Sequence, residues 1–472
     1  MKLVASGSAG VLLSLILVFA GVSRAAPLDI GTAKQVFVDG RFVETSAGAT
    51  LAVNRPYPTG EKLIVQNKPW EDFWVGGYMS VIQEAYRIRL WYECADQRKG
   101  DHVAYAESID GGATWAKPDL GITEYQGARN NNIVVTGIHG ATVFRNRPDA
   151  PDGERYCMFV GSPNKAFVSP DGFHWVQKGP APFLNMAGHS GLDSQNVMFW
   201  DTRIEKYVAY PRLNDPTLMR TVARSESAVF GDFPDPAIVF SRDDQDPPGL
   251  DFYTSAAIQY PFAADAYYMF PAAYHHTPPP PPNDGPLDIQ FAASRDGVHW
   301  VRPDRRPIIR KGIDGAWNGG CTYVGRGLSR QGNTLSLYYK ANDITHGAYT
   351  LMERGPGGSI SRALYRLDGF MSMDAGYHGG EFTTPALVFG GSRIEVNFDG
   401  SAGGWLRIEI RDAQGNPLPG FTEEDADKVT GNAVAKAAAW AGNSDVSSLR
   451  GTPVKLRFVM RDAKLYAFHS PG

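Results

Sequence analysis

One short pattern recurs along this chain and constrains its fold more than any other feature. Ser108 to Trp115 reads SIDGGATW, and shorter copies, SPDGFHW and SRDGVHW, begin at Ser169 and Ser294. A degenerate copy places Ser225 between them, so that the serines lie about 60 residues apart. Short strand-like runs broken by Gly, Asp, Asn or Pro precede each copy. Repeats at this spacing indicate a fold built from similar supersecondary units.

The aspartate of this motif is predicted to hold a β-turn rather than to perform chemistry. Asp110 can accept hydrogen bonds from backbone amides across the turn. Gly111 tolerates a positive φ, and Trp115 can bury its ring between neighbouring units. A structural device recurs with the fold, whereas a catalytic residue need occur only once. We therefore assign Asp110, Asp171 and Asp296 to structure.

The repeat divides the chain into five units of short strands. In the first four units, three strand-like runs precede the motif and a fourth follows its turn, and the fifth unit lacks the motif. Helical periodicity is nearly absent. The sequence therefore predicts an all-β protein with a five-bladed β-propeller over residues 26–376. Residues 377–472 contain strictly alternating runs such as VKLRFVMR, which predict a C-terminal β-sandwich.

The N-terminus has the features of a secretory signal peptide. Lys2 supplies a positive charge, the run from Val11 to Val22 is almost entirely apolar, and Ala25 is placed for cleavage before Ala26. This run is shorter than a membrane span, although an uncleaved anchor is the alternative. We expect removal of residues 1–25 and a secreted or periplasmic protein, with no membrane segment after cleavage. The net charge of −4 lacks the basic footprint of a nucleic-acid-binding protein.

The sequence predicts no cofactor and no metal site. The three cysteines, Cys94, Cys157 and Cys321, lie in apolar or aromatic contexts and are expected to be small buried side chains. His275 and His276 are adjacent on a strand and would point to opposite faces, which makes them a poor chelate. Nothing in the sequence specifies an oligomeric state.

Longer stretches of the chain resemble a known family. SIDGGATW matches the Asp-box of sialidases and other propellers. The runs WYECADQRKGDHVAYAESIDGGATW, NVMFWDTRIEKYVAY and AKLYAF resemble exported bacterial proteins grouped with the N-terminal domain of glycoside hydrolase family 32. The resemblance covers the whole mature chain. It implies a five-bladed propeller of the superfamily that includes families 43 and 68, a C-terminal sandwich, and action on carbohydrate through three acidic residues around the axis.

The chain departs from the family 32 pattern at its catalytic motifs. It has no NDPNG sequence near the N-terminus, and Asn146 occupies the place of the acid in the RDP motif. The EC dipeptide has a match in Glu93 and Cys94, but in the first unit rather than near the third. The resemblance therefore supports the fold better than the family's catalytic triad.

Aspartates at the entrances of the predicted inner strands are the candidate catalytic groups. Hydrolysis of a glycosidic bond needs two carboxyl groups flanking that bond. We assign Asp72 as the base or nucleophile, Asp193 as the proton donor, and Asp251 as a partner acid that tunes a pKa or binds a hydroxyl. This hypothesis requires the three carboxylates to converge in one axial pocket. For each of them, a turn or cap aspartate is the alternative.

Other side chains near these entrances are candidate substrate contacts. Trp70 and Trp317 could stack on sugar rings or pack between blades. Arg145 could bind hydroxyls or a carboxylate, or form a surface ion pair. Glu93 could act as an alternative acid or form a salt bridge at the rim. The complete set of predicted substrate-binding residues is Trp70, Glu93, His139, Arg145, His189 and Trp317.

Together these features predict an exported glycoside hydrolase whose partner is an oligosaccharide or polysaccharide. Two alternatives stay open. A non-catalytic carbohydrate-binding propeller would have lost its acids, and the missing family 32 aspartates favour it. A lyase acting on an acidic polysaccharide would need a cleft rich in His and Tyr or in Arg in place of paired acids.

Overall fold

The computed structural model describes residues 26–98, 100–281 and 283–472. The predicted signal peptide, residues 1–25, lies outside the described residues. The described chain is all-β, as predicted: it contains no α-helix and only short 3-10 turns. These turns are Gly40–Phe42, Pro69–Glu71, Asp152–Glu154, Ala348–Leu351 and Ser447–Leu449. No helix in this part of the chain is long and apolar enough to cross a membrane.

The chain begins with short strands that pair far along the sequence. They are β1 (Leu28–Gly31), β2 (Gln35–Val36), β3 (Thr45–Ala47), β4 (Ala49–Val53), β5 (Tyr57–Pro58) and β6 (Ile64–Val65).

Two antiparallel units of four strands follow, each in simple up-and-down order. The first consists of β7 (Trp74–Gln83), β8 (Ile88–Ala95), β9 (Asp101–Ser108) and β10 (Ile133–Thr136). The second consists of β11 (His139–Arg145), β12 (Tyr156–Ser162), β13 (Lys165–Ser169) and β14 (Val176–Lys178).

The third and fourth units follow the same plan with interrupted strands. The third consists of β15 (Val197–Asp201), β16 (Lys206–Tyr210), β17 (Arg212–Asp215), β18 (Met219–Ser227) and β19 (Ala237–Phe240). The fourth consists of β20 (Leu250–Phe252), β21 (Ile258–Gln259), β22 (Tyr267–Met269), β23 (Ala272–His275), β24 (Leu287–Ile289), β25 (Ala292–Ser294) and β26 (Trp300–Val301).

The fifth unit is completed by the N-terminal part of the chain. Its own strands are β27 (Cys321–Gln331), β28 (Thr334–Asn342) and β29 (Ser359–Arg366). Strands β5 and β6 pair with β29 and together occupy the fourth position. The first strands of the units are neighbours, because β7 lies beside both β11 and β27 and β11 lies beside β15.

The remaining strands form two sheets that share a buried core. They are β30 (Met371–Ala375), β31 (Gly380–Thr383), β32 (Leu387–Phe389), β33 (Glu395–Asp399), β34 (Trp405–Asp412), β35 (Val429–Thr430), β36 (Asn432–Ala437), β37 (Val454–Arg461) and β38 (Ala463–His469). Strands β1 and β3 belong to the sheet of β37, and β2 and β4 to the sheet of β38. The prediction of a propeller over residues 26–376 differs from this pairing, because β1–β4 and β30 lie in these two sheets. The local alternation of apolar and polar residues identifies a strand, but contacts with residues far along the chain determine which strands it pairs with.

The repeated motif forms the turn that was predicted for it. The backbone amides of Ala113 and Thr114 donate to Asp110 at 3.0 and 2.9 Å, and Ser108 donates its hydroxyl to the same carboxylate. The hydroxyl and amide of Thr114 hold the pKa of Asp110 well below its usual range. Trp115 packs edge-on against Tyr338 of the fifth unit, with ring centroids 5.5 Å apart. The motif therefore shapes a turn and seals one unit against its neighbour.

Candidate active site

A cavity of about 420 Å³ opens at the end of the molecule where the first strands of the units begin. All five units contribute to its wall, which is rich in aromatic and charged side chains. The lining residues are Phe73, Trp74, Gly77, Tyr78, Ala95, Asp101, His139, Asp193, Arg220, Tyr253, Asn283, Tyr323, Lys340, Asn342, His346, Tyr349 and Pro356. Among these, only Asp101 and Asp193 carry carboxylates.

A histidine surrounded by carboxylates occupies one side of the cavity. His139 begins β11, and its Nδ1 lies 3.2 Å from Glu93 Oε2 and 3.8 Å from Asp101 Oδ2. Glu93, on β8, is 1% exposed and accepts the backbone amide of Ala141 with its other oxygen. Burial alone would lower the pKa of His139, but Glu93, Asp101 and Asp193 outweigh it and raise that pKa to about 9. The ring is therefore an imidazolium at neutral pH.

The two carboxylates of the cavity have different surroundings. Asp101 begins β9 and is partly buried, and burial raises the pKa of its carboxyl although His139 opposes this shift. Asp193 lies in the loop before β15 with 74% of its side chain exposed, and it forms an ion pair with the buried Arg212. Burial thus shifts the pKa of one carboxyl group upward, while the other is paired with a permanent cation.

Two arginines lie against a tyrosine in the cavity wall. The guanidinium carbons of Arg212 and Arg220 lie 5.0 and 5.3 Å from the ring centroid of Tyr253. The hydroxyl of Tyr253 lies 3.2 Å from that of Tyr78. Arg220 Nη1 donates to Asp251 Oδ2 at 2.9 Å, and Asp251 is completely buried. Asp251 therefore orients Arg220 from behind the cavity wall.

A buried lysine contributes a further positive charge. Lys340, on β28, is 4% exposed, and its ammonium lies 5.0 Å from the ring centroid of Tyr323. It has no ion pair or hydrogen bond with any described residue, and burial lowers its pKa to about 8. The hydroxyl of Tyr323 lies 2.9 Å from His346 Nδ1. Burial and the nearby cations lower the pKa of His346 to about 4, so this histidine is neutral at pH 7.

The three aspartates assigned from the sequence do not converge in the cavity. Asp193 lines it, Asp251 lies behind Arg220, and Asp72 is exposed outside it. Asp72 instead accepts the backbone amide of Gln97 at 2.8 Å, as expected for a cap aspartate. The carboxylate of Asp72 is thus turned toward that loop. The next two residues of the chain, Phe73 and Trp74, line the cavity.

The predicted substrate contacts are distributed over the molecule. His139 lines the cavity and Glu93 supports it. Trp70 is buried and donates its indole N–H to Asn132 at 2.9 Å, so it packs within the first unit. His189 is exposed and Trp317 half-buried, and neither lines the cavity. Arg145 lies at the opposite end of the first strands.

Several residues of the cavity are not found by the sequence reasoning. Asp101 directly precedes a predicted strand, and Lys340 ends the apolar run TLSLYYK, where an unpaired charge is unusual. Arg220 and Tyr253 had no such local signal, because only their mutual contact marks them. Among the described residues, no group of three or more His, Cys, Asp or Glu side chains could hold a metal ion.

Comparison with known proteins gives matches to solved structures alone. No family model and no curated protein matches the chain. A structure described as a glycoside hydrolase is 13% identical, with a TM-score of 0.47, over 66% of this chain and 92% of the other. The catalytic domain of a GH62 α-L-arabinofuranosidase from Coprinopsis cinerea is 15% identical, with a TM-score of 0.45, over 66% and 97%.

A third match is an α-L-arabinofuranosidase from Podospora anserina in complex with cellotriose. It is 14% identical, with a TM-score of 0.46, over 67% of this chain and 98% of the other. With all three TM-scores below 0.5, these similarities do not establish a family for the chain.

Proposed function

We propose that the chain is an exported enzyme that hydrolyses glycosidic bonds of an oligosaccharide or polysaccharide in this cavity. In this proposal the five units are the blades of a propeller, the last two sheets form a sandwich, and the cavity lies on the propeller axis. One observation carries it: the carboxylates of Asp101 and Asp193 face one cavity that has aromatic walls. Glycoside hydrolysis uses such a pair of carboxyl groups.

The surroundings of the two carboxyl groups suggest their roles. Asp101 is the proton donor, because burial raises the pKa of its carboxyl and keeps more of it protonated. Asp193 is the base or nucleophile, because its exposed carboxylate is available to a water molecule or to the sugar. The imidazolium of His139 lies beside Asp101 and stabilises the carboxylate that proton donation leaves there.

The rest of the wall suits a sugar. Trp74 and Tyr349 present aromatic surface that can lie against the apolar face of a pyranose or furanose ring. Arg220 and Lys340 can bind hydroxyl or acidic groups, since both are cations at the surface of the cavity.

The test is a screen of plant, algal and microbial glycans for release of reducing sugar. Asp101→Asn and Asp193→Asn should each lower turnover by about 10²–10⁴-fold, the usual contribution of a positioned acid or base. Asp72→Asn is the matched control, because Asp72 lies outside the cavity, and it should retain full activity. Binding of a glycan without turnover by the wild type would instead indicate a binding protein.

A second candidate is β-elimination from a polysaccharide of uronic acids. It is favoured by the contacts of Tyr253 with Arg212 and Arg220, and by Lys340, which has no ion pair with any described residue, in the same cavity. In this reaction a base removes the proton next to the substrate carboxylate, the C–O bond to the leaving sugar breaks, and a carbon–carbon double bond forms. The oxygen of the leaving sugar takes up a proton, so no water is consumed. Cations beside the substrate carboxylate stabilise the charge that develops.

The two candidates differ in their products. Hydrolysis adds one water to each bond that is cleaved, whereas elimination adds none and yields an unsaturated sugar that absorbs ultraviolet light. Mass spectrometry of the products therefore separates them. Tyr253→Phe should strongly lower the rate of elimination, and Asp101→Asn should strongly lower the rate of hydrolysis.

A further inference from the structure

A second cavity, of about 630 Å³, lies at the other end of the first strands. Strand β7 passes both cavities: Trp74 at its start lines the candidate active site, and Gln83 at its end lines this one. A ten-residue strand spans roughly 30 Å. The two cavities are therefore separate sites, and nothing in the proposed hydrolysis uses the second.

A half-buried arginine forms part of this second cavity. Arg326 lies in an irregular part of β27, between the paired residues Val324 and Leu328. Its Nη1 reaches only the carbonyl oxygen of Val143, at 3.4 Å, and its buried Nε has no hydrogen-bond partner. No carboxylate of a described residue forms an ion pair with it, and burial lowers its pKa to about 10. Such a half-buried guanidinium, with a buried Nε that has no partner, would gain from pairing with an anion.

The charges around Arg326 leave the cavity positive. Arg330 donates its Nε to the carbonyl of Gly332 at 2.7 Å and has no carboxylate partner in the described chain. Among the lining residues, Glu84 is the one acid. Its carboxylate already accepts hydrogen bonds from the Tyr156 hydroxyl and, at 3.2 Å, from Arg87 Nε. An anion entering the cavity would thus meet unneutralised guanidinium groups.

The remaining wall offers few free hydrogen bonds. Phe199, Trp200 and Phe262 contribute aromatic surface. The side-chain amide of Gln83 donates to the backbone carbonyl of Arg330 at 2.8 Å and accepts the backbone N–H of Arg330 at 2.6 Å. Asn146 accepts the hydroxyl of Tyr207 at 2.5 Å. Because these amides are already paired, the uncharged part of a ligand would be apolar rather than rich in hydroxyl groups.

We propose that the second cavity binds a small organic carboxylate, whose anionic group pairs with Arg326 and whose apolar body lies against Phe199, Trp200 and Phe262. The planar guanidinium favours a carboxylate, since two parallel hydrogen bonds can form between them. This site is independent of the proposed hydrolysis.

The test compares benzoate with benzamide, which has nearly the same shape and no charge. The purified wild-type chain is titrated with each, and binding is followed by ligand-observed NMR. Benzoate should bind at least tenfold more tightly than benzamide. Arg326→Gln should weaken benzoate at least tenfold, whereas Lys340→Gln, in the other cavity, should leave it unchanged. Equal binding of the two probes, or loss through Lys340→Gln alone, would overturn the proposal.

Thermal unfolding keeps the proposal testable if a variant folds poorly. Saturating benzoate should raise the Tm of the wild type and leave that of Arg326→Met unchanged, because a ligand stabilises only the state that binds it. Arg330→Gln, a milder change at the rim, should weaken benzoate about threefold. Displacement of benzoate by inorganic sulfate at equal concentration would contradict the proposed contact with the apolar wall. A wild-type Tm that benzoate does not raise would refute the site.

Discussion

His139 Nδ1 lies 3.2 Å from the Oε2 atom of Glu93, and Glu93 is almost completely buried. Two strands of different units supply this pair, since Glu93 is on β8 and His139 begins β11. The pair therefore fixes one wall of the cavity and joins the first unit to the second. Its protonation state couples the charge of the cavity to pH.

The first prediction concerns the stability that this pair provides. The pKa of His139 is raised to about 9 in the folded protein, so its contribution is complete below the unfolded value of about 6.5 and is lost as pH rises through about 9. Glu93→Gln should lower the free energy of unfolding by about 3 kcal/mol at pH 6 and by less at pH 10. Urea denaturation at both pH values measures this. An equal loss at both would contradict the coupling.

A second prediction concerns Lys340, whose charged form lowers the stability of the fold, in contrast to that of His139. Its pKa is lowered to about 8 when folded, so the charged ammonium destabilises the fold below pH 8, and this penalty disappears above the unfolded value of about 10.4. Lys340→Met should raise the free energy of unfolding by about 1–2 kcal/mol at pH 7 while lowering activity on acidic glycans. Denaturation at pH 7 and pH 10.5 tests it, and a destabilised variant at pH 7 would refute it.

The third prediction concerns Asp251, which orients Arg220. Asp251→Asn leaves a buried guanidinium with a weaker partner, and we expect the free energy of unfolding to fall by about 2–4 kcal/mol. If Arg220 binds substrate, KM should rise several-fold with a smaller change in kcat. Steady-state kinetics on the substrate found in the screen separates these constants. A fall in kcat at unchanged KM would instead assign Asp251 to the chemistry.

The fourth prediction concerns the repeated turn. Asp110→Ala removes the hydrogen bonds from Ala113 and Thr114 and should lower the free energy of unfolding by about 1 kcal/mol. Activity at a temperature well below Tm should not change, because the turn lies away from the cavity lining. Loss of activity in a folded Asp110→Ala protein would show that the motif is functional after all.

Local features of the sequence predict the main strands of the repeated units and their turns, but not the short strands β1–β6. The Asp110 turn depends on residues within six positions of each other, so its pattern can be read directly. The partners of β1–β4 and the contact of Arg220 with Tyr253 depend on distant residues, for which one sequence carries no signal. Position before an inner strand predicts Asp193 and His139 correctly at the cavity. The same criterion is wrong for Asp72, because the carboxylate of Asp72 caps a loop.

The pairing of β1–β4 with strands of the last two sheets has a consequence for biosynthesis. These strands leave the ribosome long before their partners β30, β31, β32 and β38 are synthesised. The unpaired edges of these strands must therefore stay available, and exposed to wrong partners, until those distant strands emerge. A gene truncated after codon 376 would leave β1, β2 and β3, within residues 28–47, in this state permanently. A shorter product spanning residues 54–367 would retain the five units without these orphan strands.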